Sequence, residues 1–294
     1  YNTLKDNGMK VFIGTVTTGA CLSVVSQTKA DNMFQITPSA SAAKVIANDN
    51  CFQVCFTDPN QGTASADYIA SKGLATKVAV IYNSSDAYSS GIYDNFKAEA
   101  AAKGLDLVAS EAFTGDSKQD FSSQLSKIKA SGAELIFLPI YYQEASLILS
   151  QAKNAGITAK FFGCDGLDGL LNIENFDKSL AENVMLLTPF AANATDETTK
   201  KFVAAYNAKY DPSTLNQFAA DAYDAVYVVK AAAEKAGVTG DMSVSDICNA
   251  LKGAMTEITV DGVTGSGMTW KATGEVNREP KAVKIENGEY QPMD

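Results

Sequence analysis

The sequence predicts an α/β fold of two doubly wound lobes built on parallel sheets. Short apolar runs alternate with amphipathic stretches of helical length, which is the pattern of successive βα units. Three of the runs, "KVAVIY", "ELIFLP" and "KFFG", lead directly into polar or ring-bearing segments: "SSDAYSSG" at 84–91, "PIYYQE" at 139–144 and "GCDGLDG" at 163–169. Gly104 and Gly132 stand where helical patterns stop, as C-cap residues do. A chain that ends buried strands and then presents polar groups builds a site at the carboxyl edge of a parallel sheet.

The elements follow in order. "YNTLKDNGMKVFIG" opens on an amphipathic helix and enters a strand at 10–14, after which "ACLSVVSQTKA" reads as one helix over 20–30. "MFQI" at 33–36 and "CFQVCF" at 51–56 are strands, and a helix starting near Gln61 separates them from "KVAVIY". The helix at 91–104 precedes the extended "LDLVASEAF", and "DFSSQLSKIKASG" places Phe121, Leu125 and Ile128 on one helical face. "ELIFLP", a helix over 144–156, "AKFFG" and "NVMLLTPF" continue the alternation. Beyond residue 189 the texture changes to two long helices, 196–210 and 216–237, which are expected to return to the first group of strands. Turn signals at Ala272–Gly274 and Asn287–Gly288 read as an antiparallel hairpin.

Composition narrows the function. With 294 residues, 46% of them hydrophobic, the chain is long enough for two cores. A net charge of -10 repels phosphate backbones, so nucleic acid is not an expected partner. No apolar run reaches the roughly 20 residues of a membrane helix, and a signal peptide would lie outside this chain. Histidine is absent, which removes the usual general base and the commonest zinc ligand. Cys51 and Cys55 lie in a strand pattern with no second pair to complete a metal site, so neither metal nor cofactor is expected. A disulfide from Cys21 to Cys51 or Cys55 is open to an exported form, while Cys164 and Cys248 read as buried small hydrophobes. There is no dinucleotide fingerprint, P-loop or nucleophile elbow, so the reading is a binding protein and not an enzyme.

The segments "GTVTTGACLSVV", "ITPSASA", "CFTDPNQG", "VAVIYNSSDAYSSG", "FFGCDGLDG", "FAADAYDAVYVVKAA" and "VTGSGMTW", together with the stretch from "DFSSQL" to "KNAGI", resemble the type I periplasmic binding proteins. Within that family the likeness is to the leucine/isoleucine/valine-type amino-acid receptors of ABC importers, and it runs across nearly the whole chain. The resemblance implies two lobes joined by hinge crossings and closing on a ligand, with 1–58 plus 189–256 forming lobe one and 59–188 plus 257–294 lobe two. Family members open with a strand, a ligand loop, a helix and a second strand ahead of the point where this sequence starts. The expectation is therefore a first lobe incomplete at its N-terminus, in a processed or shortened form.

The resemblance also assigns the site. Thr18, beside Thr17 and Gly19 at a helix start, is placed against the ligand's α-carboxylate, where unpaired N–H groups suit an anion. The backbone of Ser39, and the hydroxyl and N–H of Ser41, reach the same polar head. Tyr88 and Tyr141 are the two aromatics that shield the ammonium, with Tyr142 turned to the opposite side. Asp165 receives the ammonium itself. Asp221 and Tyr223 are weaker candidates that ordinary packing would equally explain. The implied function is an extracytoplasmic receptor, periplasmic or a cell-surface lipoprotein, handing an aliphatic or branched-chain amino acid to a membrane permease. A ligand-sensing domain of a signalling or regulatory system is the alternative.

Overall fold

The computed structural model describes residues 1–293. Its elements begin with α1 (Asn2–Asp6), β1 (Phe12–Ile13), α2 (Thr18–Leu22), α3 (Val25–Ala30), β2 (Gln35–Thr37) and β3 (Cys51–Gln53). Then come α4 (Asp58–Ser71), β4 (Lys77–Asn83), α5 (Ala87–Ala102), β5 (Asp106–Phe113), α6 (Ser122–Ser131), β6 (Leu135–Leu138) and α7 (Tyr142–Asn154). The remainder is β7 (Lys160–Gly163), β8 (Met185–Thr188), α8 (Glu197–Asn207), α9 (Gln217–Ala236), α10 (Val244–Met255), β9 (Lys281–Glu286) and β10 (Glu289–Pro292).

Two compact units result, Tyr1–Thr57 with Phe218–Glu279, and Asp58–Gln217 with the residues from Pro280 onward. These boundaries differ from the expected ones. Residues 189–217, α8 included, belong to the second unit, where the Phe190 and Phe202 rings pack edge-to-face at 5.9 Å. Residues 257–279 belong to the first, anchored by the Trp270 indole N–H donating to the Gln53 carbonyl at 2.8 Å.

In the first unit β1, β2 and β3 form a parallel sheet in that order. Phe34 and Phe52 stack at 5.4 Å within a core completed by Val228, Leu251, Met255 and Trp270. The single helix expected over 20–30 is broken into α2 and α3. Ser23 bonds back to the Gly19 carbonyl at 3.0 Å, and the β-branched pair Val24–Val25 lies at the break. A further helix, α10, was not foreseen; its Ile247, Leu251 and Met255 join the same core as Val228 of α9. All five cysteines are free and buried, so the disulfide considered above does not form. Gln35 separates two of those thiols: its Nε2 donates to Cys21 Sγ at 3.2 Å, and its Oε1 accepts from Cys51 Sγ at 3.4 Å.

The second unit is a seven-stranded sheet in the order β10-β9-β8-β7-β6-β4-β5. The strands from β8 through β5 are mutually parallel, while β9 runs antiparallel to both its neighbours. Side chains alternate between two cores, with Ala79, Ile81, Ile136 and Leu138 on one face. Val78, Val80, Leu135 and Phe137 occupy the other. Asn287 and Gly288, both left-handed, make the tight turn between β9 and β10. The turn at Ala272–Gly274 is a separate feature in the first unit, closed by an antiparallel bridge between Trp270 and Val276. Among the described residues, no helix is long and apolar enough to cross a membrane.

Candidate functional site

Because β7, β6 and β4 are neighbours in the sheet, the loops at their carboxyl ends lie side by side, and these loops carry Asp165, Tyr141 and Tyr88. Beyond β4, Asp86 caps α5 by accepting from the Ser89 N–H at 3.1 Å, which sets Tyr88 in the first helical turn, 2% exposed. Tyr141 stands just ahead of α7, and Asp165 opens a short 3-10 turn after β7, 3% exposed. The structure brings these three residues together. The Tyr88 hydroxyl donates to Asp165 Oδ1 at 2.6 Å and accepts from the Gly166 N–H at 2.9 Å. The Tyr88 and Tyr141 rings stack with centroids 4.8 Å apart. A Cβ on Gly166 would lie 2.6 Å from the Tyr88 hydroxyl oxygen and 2.7 Å from the Ile140 carbonyl, so the close approach requires glycine here. Tyr142, one residue on from Tyr141, packs in the core on the opposite face of the sheet, against Gly169.

Electrostatics fix the roles at this edge. Burial, reinforced by the Asp165 carboxylate, holds the Tyr88 hydroxyl well above its ordinary range, so it stays a phenol and a donor. Tyr141 is likewise pushed up, first by burial and then by Asp86, Asp165, Asp58 and Glu144 around it. Burial and these neighbouring carboxylates together keep the Tyr141 hydroxyl protonated.

The backbone of Asp165 is held by two residues that the sequence reading left without a role. Its N–H donates to Gln61 Oε1 at 3.2 Å, and its carbonyl accepts from Gln217 Nε2 at 2.6 Å. The Gln217 N–H donates in turn to Asp168 Oδ2 at 2.7 Å. Burial pushes the Asp168 carboxyl up to about 6. Gln61 lies within the quoted "CFTDPNQG", but nothing in local spacing reveals a partner 104 residues away.

The first unit holds Thr18, Ser39 and Ser41. Thr18 is the first residue of α2, and its hydroxyl oxygen accepts from the Ser41 N–H at 3.2 Å and the Ala42 N–H at 3.4 Å. The Ser41 N–H expected to reach a ligand is thus held by Thr18. Helix α2 has only five residues, so its dipole is slight. Thr37, at the end of β2, shapes the loop that carries Ser39 by accepting from the Ala40 N–H at 2.9 Å. Ser39 is 6% exposed and Ser41 fully buried. Asp221 forms a buried ion pair with Arg278 at 3.2 Å, and Arg278 also donates to the Val54 and Thr264 carbonyls. Tyr223 is 40% exposed with its ring beside Tyr227.

An α/β chain with a buried acid and stacked tyrosines at the carboxyl edge of a parallel sheet has the make-up of a small-solute receptor. Residues 1–289 match the periplasmic binding protein family, and the chain belongs to that family. It is 32% identical to Leu/Ile/Val-binding protein homolog 3 of Brucella melitensis over 82% of its own length, and spans 64% of that relative. Among solved structures, it is similar to the branched-chain amino acid transporter substrate binding protein LivJ of Streptococcus pneumoniae in complex with isoleucine. That likeness has 27% identity and a TM-score of 0.84, covering 99% of this chain and 80% of that one. The leucine binding protein LivK of Thermotoga maritima shares the fold with a TM-score of 0.86 at 24% identity, covering 100% of this chain and 81% of that one. The relatives it matches are named as binding proteins.

Proposed function

We propose that this chain is the solute-binding component of an ABC importer, working outside the cytoplasmic membrane and delivering a free aliphatic amino acid to a permease. Branched-chain amino acids are the first candidates, because the similar proteins are named for leucine, isoleucine and valine. The observation that carries the reading is the Tyr88–Asp165 pair stacked beside Tyr141. A carboxylate already oriented by a phenol offers an ammonium charge-assisted hydrogen bonds, with an aromatic ring beside it. By the family likeness, Thr18, the Ser39 backbone and the Ser41 hydroxyl are assigned to the carboxylate end of the same ligand.

A thermal-shift screen of the twenty amino acids tests this. A ligand that binds only the folded protein raises its melting temperature, and leucine, isoleucine or valine is expected to give the largest rise. A flat response to all twenty would remove the reading.

A further inference from the structure

Asp165 is not fixed by Tyr88 alone. Both of its backbone polar groups are taken by fully buried glutamine amides, Gln61 on the N–H and Gln217 on the carbonyl. Gln217 commits two more of its polar groups, its N–H to Asp168 at 2.7 Å and its Oε1 to the Thr188 hydroxyl at 3.0 Å. One side chain therefore ties the end of β8 to the turn after β7, and it does so from a particular place. Gln217 is the last residue of the second unit before the chain passes to Phe218 in the first, and Gln61 follows the passage at Thr57–Asp58 by three residues.

We infer that Gln217, seconded by Gln61, is a positioning residue for the ligand's acid. Its amide sets the backbone of Asp165 so that the carboxylate meets Tyr88, and it carries the state of that carboxylate to the point where the chain leaves the unit. Holding a binding group in its bound geometry beforehand lowers the ordering cost of association. A shift of the Asp165 backbone toward a cation loads the same amide, since that backbone is held by Gln217 and Gln61. The inference rests on the reading of Asp165 as the ammonium's partner.

A double-mutant cycle read by calorimetric titration with L-leucine tests it. Gln217→Met keeps the side-chain length and removes both polar atoms, and is expected to weaken leucine binding at least tenfold. Added to Asp165→Asn it should cost nothing more, because it acts through Asp165. Losses that multiply would overturn the inference. In the ligand-free protein the carboxyl 13C resonance of Asp165 is expected to move in Gln217→Met, and an unmoved resonance overturns the positioning role whether or not leucine binds. Wild-type protein silent to leucine but with that resonance shifted would instead remove the ligand reading and keep the positioning one. Should Gln217→Met fail to fold, hydrogen exchange on the wild type decides: leucine should raise protection of the Gln217 amide, and unchanged exchange overturns the inference.

Discussion

At the scale of single residues, the second-unit site is an acid held at three points. Tyr88 fixes one carboxylate oxygen of Asp165, and two amides fix its backbone. Asp165→Ala is expected to reduce amino-acid affinity at least tenfold in calorimetry, through loss of the charged partner. Tyr88→Phe keeps the ring stack but withdraws a donor from a buried carboxylate. It should lower unfolding free energy in urea by about 1–3 kcal/mol, with a smaller loss of affinity than Asp165→Ala. Equal losses of affinity would mean that the phenol, and not the acid, carries recognition. That Tyr88, Tyr141 and Asp165 lie close together was legible, because each falls in a segment that follows an apolar run. Gln61 and Gln217 were not, since their partners lie 104 and 52 residues away and no local pattern encodes such a pairing.

Among the elements, long periodic segments were legible and short ones were not. The strands of the second unit and the stop of α6 at left-handed Gly132 match their sequence signals. Helix 20–30 failed because helical length alone hid a β-branched break and a back-bonding serine. Helix α10 was overlooked although its start is written in the sequence as Ser243 and Asp246. Ser243 Oγ accepts from the Asp246 N–H at 3.1 Å and donates to the Asp246 carboxylate at 2.7 Å. Ser243→Ala is expected to cost about 0.5–2 kcal/mol in urea denaturation, while Ser243→Asp should retain most of the stability. The expected unit boundaries missed because α8 looks in sequence like a companion of α9. Its Phe202 nonetheless packs against Phe190, which fixes it in the second unit.

For the molecule as a whole, acidity and folding are linked through Asp168. Its folded-state carboxyl titrates near 6 because it is buried, whereas an unfolded aspartate titrates near 3.9. The folded state therefore binds the proton more tightly, and this group destabilises the fold above pH 6. Stability is regained as pH falls through 6, by roughly 3 kcal/mol once pH is below about 4. The general repulsion of a chain with net charge -10 also eases on acidification, so the comparison with Asp168→Asn isolates the buried group. Between pH 7.5 and 5 the wild-type melting temperature should rise more than that of Asp168→Asn, and parallel curves would contradict the assignment. The interruption of the second unit by residues 218–279 has a separate effect during synthesis. Strands β4 to β8 leave the ribosome first, and β9, which pairs with Met185–Thr188, emerges only after all of that inserted stretch. For that interval the growing chain displays a bare row of backbone amides beside β8, an invitation to illicit pairing with other nascent chains.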